Sequence, residues 1–365
     1  MPTVRELEAL ARARLDPARW DFLAGGAGDE ITVRANEDAY VHSRLVPRVL
    51  RGVEKRELGA SLLGCRASMP VLIAPTAFHR LFHPDGERAT ARAAAAADTV
   101  MIVSMASTIA VAEVVAAARA AAAPGVEPSL WFQLYPQPDR RVTEALVRRA
   151  EDAGCRALVV TVDSPVSGGR ERDVRPGLRD LPAGMWCENM RDLLPGEEPD
   201  VRRIELSAAL TWADIAWLRG ITSLPVVLKG ILHPADAELA VRSEVDAIVV
   251  SNHGGRRLDT APATLEALPG IVDAVGGAIP VLVDGGVRRG TDVVKALALG
   301  AAAVCVGRPV VWGLTVAGER GVTEVLETLR AETDRALALC GAATPAHLRA
   351  DQVRCGPGVR RWHRS

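Results

Sequence analysis

DAIVVSNHGGRRLD, residues 246–259, begins as an apolar run and becomes polar at Ser251, where a histidine and two glycines follow. Val and Ile favour β-strands, and glycine tolerates the backbone angles that a chain needs when it leaves a sheet. One strand end of this kind is common and indicates no function. Its meaning depends on whether other strands of the chain end with reactive side chains at the same place.

Seven further segments of strand length are rich in Val, Ile and Leu, and they alternate with Ala-rich segments of helical length. Together with 246–252, the predicted strands are 69–75, 99–105, 129–135, 157–163, 224–230, 279–285 and 302–308. Alternating strands and helices are typical of a parallel sheet covered by helices. Eight such units predict an α/β fold, the (βα)8 TIM barrel.

The chain of 365 residues is interpreted as one domain. Residues 1–68 are expected to form a helical N-terminal extension, and residues 69–310 the strands and helices of the barrel. A closing helix over 318–341 and a tail make up most of 311–365. The segment 164–210 interrupts the alternation with glycines, prolines and charges, which predicts a long lid loop after strand 4.

Composition excludes several classes of protein. The net charge of −1 and the absence of a long basic block argue against a nucleic-acid partner. No apolar run is long enough to span a bilayer, and the charged insertion after strand 4 argues against membrane association. The N-terminus does not read as a signal peptide, so a cytoplasmic location is expected.

Metal and dinucleotide motifs are also missing. The six cysteines contain no CxxC pair, which argues against a zinc knuckle and a disulfide framework. His79 and His83 are four residues apart, but the glutamate of an HExxH motif is absent, so no metal site is predicted. The sequence GGAGDE follows a helical pattern rather than a strand, which disfavours a Rossmann domain.

The ends of the predicted strands are unusually polar. In a TIM barrel the carboxyl ends of the strands and the loops after them build the active site. Residues two apart point to the same face of a strand, as in the pairs Gln133/Tyr135, Thr161/Asp163 and Ser251/His253. In strand order, the candidate site residues are Pro75, Thr76 and Ala77; Ser104; Gln133 and Tyr135; Thr161 and Asp163; Lys229; Ser251 and His253; Asp284, Gly285 and Gly286; and Gly307 and Arg308.

The turns after strands 7 and 8 match a phosphate site. Their glycines leave main-chain N–H groups accessible, and Arg288 and Arg308 add charge-assisted donors. Tight barrel turns with solvated arginines are the other interpretation. Because TIM barrels frequently bind phosphate at this pair of strands, we favour a phosphorylated ligand or cofactor.

Several segments together resemble a known family. They are FLAGGAGDE, APTAFHRLFHPDGE, FQLY, TVDSP, GGRERDVR, LPVVLKGI, SNHGGRRLD and DGGVRRGTDVVKALALGAAAVCVGRP. Over nearly the whole chain the sequence is similar to the FMN-dependent 2-hydroxy acid oxidases and dehydrogenases, which include glycolate oxidase, lactate oxidase and mandelate dehydrogenase. It is most similar to the 4-hydroxymandelate oxidase branch.

The resemblance implies oxidation of an (S)-2-hydroxy acid to the 2-oxo acid. His253 would act as the base and Asp163 as the carboxylate that orients it, while Tyr135 is the matching active-site tyrosine. Arg170 and Arg256 would bind the substrate carboxylate. Whether the base takes the proton from Cα or from the hydroxyl remains open at this point, and Arg172, Arg175 and Arg257 are taken as solvated charges.

The resemblance also assigns the FMN contacts. Lys229 would lie near flavin N1 and the C2 carbonyl, where a positive charge stabilises the reduced flavin. The residues that would contact the isoalloxazine and ribityl chain are Pro75, Thr76, Ala77, Ser104, Gln133, Thr161 and Ser251. Those at the phosphate turns are Asp284, Gly285, Gly286, Val287, Arg288, Gly307 and Arg308.

Two departures from the short-chain oxidases bear on the substrate. Phe22 stands where glycolate oxidase has a tyrosine, and Ala106 where the short-chain oxidases have a tryptophan. Both changes predict room for an aryl group, as in mandelate or 4-hydroxymandelate.

The alternatives are a lactate- or glycolate-type substrate, a non-redox FMN isomerase, and a flavin-binding protein without catalysis. The electron acceptor could be oxygen, a quinone or a carrier protein, and the resemblance suggests a homotetramer.

Overall fold

The computed structural model describes residues 2–169, 181–194 and 200–355, and in it eight parallel strands close into a barrel. Each strand pairs with the next along the chain, and β8 returns to pair with β1 through Val304 and Val71. The predicted TIM barrel is confirmed. Its strands are β1 (Val71–Ile73), β2 (Met101–Ser104), β3 (Leu130–Leu134), β4 (Leu158–Thr161), β5 (Val226–Ile231), β6 (Ala247–Val250), β7 (Val281–Asp284) and β8 (Ala303–Val306).

The strands are shorter than the predicted segments. Ser104, Gln133, Thr161, Lys229 and Asp284 still lie within the strands, whereas Tyr135, Asp163, Ser251 and His253 lie beyond the strand ends. The helices before the barrel are α1 (Val4–Arg14), α2 (Pro17–Ala24) and α3 (Ile31–His42). The helices between the strands are α4 (Gly86–Ala96), α5 (Val111–Ala121), α6 (Arg140–Ala153), α7 (Trp212–Gly220), α8 (Pro234–Arg242), α9 (Thr264–Val275) and α10 (Gly290–Ala298).

The last helix corrects one expectation. Helix α11 (Arg308–Cys340) begins directly after Gly307, so Arg308 is its first residue rather than the last residue of a strand. A break at Ala317 and Gly318, where Gly318 has a φ of 60°, separates the eighth barrel helix from the predicted closing helix. Sequence reasoning missed the first of these two parts. Pro309 fits there because the first turn of a helix has N–H groups without partners in the helix.

The N-terminal extension contains more than helices. Residues Ala60–Leu62 and Cys65–Ala67 form an antiparallel hairpin, and Arg44–Leu45 pairs with Val353–Arg354 near the end of the described chain. Leu62 and Cys65 belong to the same buried cluster as Trp131 of β3. The hairpin therefore contributes apolar side chains to the core shared with the inward-facing residues of the barrel.

The described parts of the predicted lid loop contact the barrel. Glu188–Met190 form one turn of 3₁₀-helix, and Arg191 and Val201 form an isolated β-bridge. The buried Asn189 accepts a hydrogen bond from the N–H of Val111 at 2.8 Å, at the start of α5. Part of this segment is thus fixed to the body of the protein.

Within the described residues, no helix combines the length and the apolar character needed to cross a bilayer.

Candidate active site

A cavity of about 250 Å³ lies at the carboxyl ends of the barrel strands, where the sequence predicted the site. Nineteen of the predicted site residues line it: Phe22, Pro75, Thr76, Ala77, Ser104, Ala106, Gln133, Tyr135, Thr161, Lys229, His253, Arg256, Asp284, Gly285, Gly286, Val287, Arg288, Gly307 and Arg308. Asp163 and Ser251 stand just behind them, bonded to His253 and Lys229. Arg170, with Arg172 and Arg175, lies outside the described residues.

The turn after β6 explains why the strand ends where it does. His253, Gly254 and Gly255 have φ angles of 59°, 64° and 75°, so the chain turns through three left-handed residues. This conformation costs free energy for a residue other than glycine, so His253 is a strained residue that lines the cavity. Its preceding neighbour, Asn252, exchanges two side-chain hydrogen bonds with Asn36 of α3, at 2.9 and 2.8 Å. The N-terminal extension therefore holds this turn in place.

His253 is oriented by a carboxylate. Its Nδ1 lies 2.9 Å from Asp163 Oδ1, and its main-chain N–H donates to Ser251 Oγ at 3.0 Å. Burial, opposed by Asp163, lowers the pKa of His253 below its ordinary value near 6.5. Burial works against the charge of Asp163, but the facing His253 and Lys229 outweigh it and keep the pKa of that carboxyl below its usual range. Near neutral pH, His253 is thus a neutral base beside an ionised carboxylate.

The other ring nitrogen of His253 faces the cavity. Its Nε2 lies 3.5 Å from the hydroxyl oxygen of Tyr135, a distance longer than an ordinary hydrogen bond. A substrate oxygen could therefore contact both groups. This is the arrangement that a base needs, with one nitrogen oriented and the other accessible.

Lys229 forms a buried ion pair next to the base. Its Nζ lies 3.1 Å from Asp284 Oδ2 and donates to Ser251 Oγ at 2.8 Å. Burial lowers the pKa of Lys229, but Asp284 and Asp163 outweigh this and raise it above its ordinary value. A permanent positive charge consequently lies in the floor of the cavity.

A chain of side-chain amide and hydroxyl groups crosses the floor from β2 to β4. Ser104 Oγ donates to Gln133 Oε1 at 3.1 Å, and Gln133 Nε2 donates to Thr161 Oγ1 at 3.1 Å. Because these groups bond one another, their rotamers are fixed before any ligand arrives.

The glycine-rich turn after β7 packs tightly on α3. Gly286 has a φ of 85°, and a Cβ there would lie 2.0 Å from the carbonyl oxygen of Asn36. Only glycine fits this position. Two buried polar atoms at this turn, Asp284 Oδ1 and Arg288 Nε, have no hydrogen-bond partner among the residues that the structure describes.

Arg288 and Arg308, which follow β7 and β8, have different partners. Arg288 pairs with Glu37 at 2.8 Å, and its guanidinium carbon lies 4.9 Å from the centre of the Trp312 ring. Arg308 donates to the carbonyl oxygens of Leu23, Gly254 and Gly25 at 2.9–3.1 Å. Arg308 therefore also joins the N-terminal extension to the turn after β6.

Three aromatic residues, Phe22, Phe78 and Phe82, also line the cavity, and we call them the aromatic wall. The ring of Phe22 lies 5.8 Å from that of Phe78 and 6.4 Å from that of Phe82, measured between centroids. Ala106 lies beside the wall, and its carbonyl accepts the N–H of Phe78 at 3.1 Å. The sequence analysis identified Phe22 and Ala106 but missed Phe78 and Phe82, although both belong to the quoted segment APTAFHRLFHPDGE.

One expectation about the arginines is wrong. Arg257 was interpreted as a solvated loop charge, yet it lines the cavity, with Nη2 3.4 Å from the Tyr135 hydroxyl and Nε 3.5 Å from His253 Nδ1. Arg256 also lines the cavity and donates through Nη1 to the carbonyls of Phe22 and Gly25, each at 2.8 Å. Consecutive arginines in a turn point in different directions, and the sequence does not say which one faces the base.

The described residues contain no cluster of three or more His, Cys, Asp or Glu side chains that could hold a metal ion. His79 is buried and bonds to Thr76 and Thr90 through its two ring nitrogens, so it supports the end of β1.

A model of the family described as FMN-dependent dehydrogenase matches residues 11–355. The chain belongs to this family. Among curated relatives, L-lactate oxidase of Nostoc sp. is 48% identical over 93% of this chain and 94% of its own length. Glycolate oxidase 1 of Zea mays is 45% identical over 94% of this chain and 93% of its own length.

Solved structures of mandelate oxidase share the fold. The structure with (S)-2-phenylpropionate superposes with a TM-score of 0.87 at 42% identity, covering 97% of this chain and 98% of the other. The chain is therefore an FMN-dependent oxidoreductase that acts on 2-hydroxy acids, which the resemblance implied.

The chemistry of the residues that line the cavity fits FMN. Arg288 Nε has no hydrogen-bond partner among the described residues, and the main chain of the turn after β7 lines the cavity; both suit a phosphate, because a guanidinium and main-chain N–H groups are its usual donors. Lys229 supplies a fixed positive charge at the buried floor, which suits a flavin that gains negative charge on reduction. When bound, FMN supplies the acceptor for the two electrons that the hydroxy acid loses.

Proposed function

We propose that this member of the FMN-dependent dehydrogenase family oxidises an (S)-2-hydroxy acid with an aryl side chain, such as mandelate or 4-hydroxymandelate. The observation that carries the proposal is the aromatic wall of Phe22, Phe78 and Phe82 beside the small Ala106. Aromatic rings favour offset and tilted contacts with one another, and such pairs add to the gain from burying their apolar surface. An aryl substituent would pack against this wall.

In this proposal His253 accepts one proton from the substrate through Nε2, while Asp163 holds the ring by Nδ1 and stabilises its charged form. Tyr135, which lies next to Nε2, donates to a substrate oxygen. Arg256 and Arg170 bind the carboxylate, although Arg170 lies outside the described residues. The substrate loses two electrons and two protons and leaves as the 2-oxo acid; His253 takes one proton, and both electrons and the other proton would pass to the bound FMN.

The remaining residues would hold the cofactor. Lys229, Gln133, Ser104, Thr161 and Ser251 form the hydrogen-bonded floor under the flavin, with Pro75, Thr76 and Ala77 at the end of β1. The turns with Asp284, Gly285, Gly286, Val287, Arg288, Gly307 and Arg308 would receive the phosphate.

A short-chain substrate is the second candidate. It is favoured by the curated relatives, which are L-lactate oxidase and glycolate oxidases at 45–48% identity for the two described above. Small hydroxy acids would make the same polar contacts at His253 and Tyr135 and would leave the aromatic wall without a partner.

The deciding experiment mixes the purified flavoprotein, without oxygen, with mandelate, 4-hydroxymandelate, lactate and glycolate. We expect the aryl acids to bleach the flavin's visible absorbance with the higher second-order rate constant. Faster bleaching by lactate or glycolate would contradict the aryl assignment. Readmitting oxygen, or adding a quinone, then identifies the electron acceptor.

Cytoplasmic location and a homotetrameric assembly stay predictions of the sequence. Size-exclusion chromatography coupled to light scattering measures the second directly.

A further inference from the structure

A second cavity, of about 310 Å³, lies apart from the active site, and we call it the arginine cleft. It forms where the chain after α11 meets the segment before the hairpin, and it shares no lining residue with the active-site cavity. Three arginines line it, Arg48, Arg51 and Arg349. No Asp or Glu of the described chain belongs to its lining. The cleft therefore carries an excess of positive charge.

Main-chain hydrogen bonds join the two walls of the arginine cleft. The N–H of Val46 donates to the carbonyl of Gln352 at 2.7 Å, and the N–H of Arg48 donates to the carbonyl of Cys340 at 3.3 Å. Gly341, at a φ of 72°, lies so close to the other wall that a Cβ there would be 2.3 Å from the carbonyl oxygen of Arg48. The backbone thus sets the shape of the cleft before any ligand binds.

The end of α11 does not require the arginine side chains as caps. The last carbonyls of a helix need donors from outside it, and arginines near a C-terminus can supply them. Here they receive the main-chain N–H groups of Gly341, Ala342 and Arg48. The side-chain amide of Gln352 also donates to the carbonyl of Cys340, at 2.8 Å. The three guanidinium groups remain available for another partner.

A nearby arginine shows what a paired guanidinium looks like in this part of the fold. Arg56 donates to both carboxylate oxygens of Asp334, at 2.9 and 2.7 Å. Among the residues that the structure describes, the guanidinium groups of Arg48, Arg51 and Arg349 donate no hydrogen bond and form no ion pair. Their positive charges are not compensated by the described protein.

Gln352 adds a neutral donor to the cleft. It is 4% exposed, and its Oε1 accepts the main-chain N–H of Arg349 at 3.1 Å. A side-chain amide nitrogen carries two N–H groups, and the bond to Cys340 uses one of them. The second has no acceptor within the described chain. Guanidinium groups and an amide N–H together form a set of donors that suits an anion.

We propose that the arginine cleft binds a small anion with several negative charges, the chemistry that a diphosphate group and a tricarboxylate share. Pyrophosphate and citrate each carry roughly three negative charges near neutral pH, which matches the three arginines. A guanidinium binds either phosphate or carboxylate oxygens through two parallel hydrogen bonds. The cleft is separate from the turns after β7 and β8, and its role does not depend on the proposed function.

The test is isothermal titration calorimetry of the FMN-loaded protein with pyrophosphate, with citrate and with acetate as a singly charged comparison. Arg48→Gln/Arg51→Gln removes two charges from one wall of the cleft, and Arg349→Gln removes one from the other. The matched control, Arg148→Gln/Arg320→Gln, removes two arginines that are 74% and 79% accessible and line neither cavity. The flavin's visible absorbance is followed in the same titrations.

We expect one pyrophosphate or citrate per chain, no measurable binding of acetate and no change in the flavin's absorbance. Arg48→Gln/Arg51→Gln should weaken anion binding by about tenfold to a hundredfold, the range for losing hydrogen bonds between charged groups. Arg349→Gln should weaken it by about tenfold and gives the result if the double variant does not fold. Arg148→Gln/Arg320→Gln should match the wild type. Whichever of the two anions binds more tightly identifies the source of the charge as phosphate or carboxylate.

Three outcomes would overturn the inference. They are the absence of binding by both anions, equal affinities in the wild type and the cleft variants, and a flavin absorbance change that follows the binding heat, since the anion would then lie in the active-site cavity. Failure of the proposed function is recognised separately, when no hydroxy acid bleaches the wild-type flavin. The calorimetry needs no turnover and would still report on the cleft.

Discussion

The two ends of the cavity are built in different ways. The glycine-rich end, residues 284–288 with Gly307 and Arg308, comes from the turns after two adjacent strands, β7 and β8. The histidine end, which we define as Phe22, Phe78, Ala106, Tyr135 and His253, collects side chains from five distant segments. The first depends largely on backbone shape and the second on the direction of individual side chains.

The difference separates cofactor binding from substrate chemistry. At the glycine-rich end, a single added Cβ would collide with the backbone of α3, so the sequence is strictly limited there. At the histidine end, side chains can change size and polarity while the turns that carry them stay the same. A side-chain change at the histidine end should therefore leave FMN binding at the glycine-rich end largely intact, which variants can test.

The largest effect is expected for His253→Ala. Loss of a general base typically lowers the rate by about 10²–10⁴-fold, so kcat/KM should fall within that range. FMN content per protein should stay at the wild-type level, because none of the groups at the glycine-rich end is changed. Flavin absorbance of the purified protein and its anaerobic reduction rate give both numbers. The exposed His347→Ala serves as control; full activity in His253→Ala would end the proposed mechanism.

Gly286→Ala, in contrast to His253→Ala, should affect the binding of FMN. Its Cβ would stand 2.0 Å from the Asn36 carbonyl at a φ of 85°. The left-handed conformation alone costs roughly 1–2 kcal/mol for a non-glycine residue, and the collision adds to it. We expect loss of bound FMN and a lower Tm. The matched control is Gly276→Ala, at a φ of 58° with nothing within 4 Å of its Cβ, which incurs the conformational cost only. FMN retained by Gly286→Ala at the wild-type level would contradict the separation of the two ends.

Asp163→Asn should shift a pH profile. The base works in its neutral form, so kcat/KM of the wild type should be lost as the pH falls through the pKa of His253, which lies below 6.5. Asp163 raises that pKa against the effect of burial, so its removal should move the acid limb to lower pH. Activity on the plateau should drop by about tenfold to a hundredfold with the loss of a charge-assisted hydrogen bond. Steady-state rates between pH 4 and 9 measure both effects; an acid limb that moves upward would exclude this role for Asp163.

The same contrast explains how much the sequence could predict. All eight strands and the polar residues at their ends were predicted, because apolar segments of strand length and glycine-rich turns are local signals. The helix that begins at Arg308 was missed, since Gly307 and Arg308 read as the end of a strand when the turn between strand and helix is this short.

Contacts between residues far apart in the sequence were harder to predict. Phe78 and Phe82 could have been suspected from the segment that follows β1, but only the folded chain shows that both approach Phe22. The Asn36–Asn252 pair joins residues 216 positions apart, which no local pattern indicates. The orientation of Arg257 depends on the left-handed turn before it. The glycines in the sequence permit such a turn but do not determine where the Arg257 side chain points.

The smallest effect is expected for Ala106→Trp, which tests the histidine end alone. Ala106 is 7% exposed and lines the cavity beside Phe78, so an indole there has to enter the space assigned to the aryl group. Overpacking typically costs 1–3 kcal/mol, and the ratio of kcat/KM for mandelate to that for lactate should therefore fall by about tenfold or more. Turnover of lactate and FMN content should change little, because the polar contacts at His253 and the glycine-rich end are untouched. The control, Ala120→Trp on the exposed face of α5, adds the same side chain outside the cavity. An unchanged ratio in Ala106→Trp would mean that the aryl group does not lie against the aromatic wall, and the short-chain assignment would then be preferred.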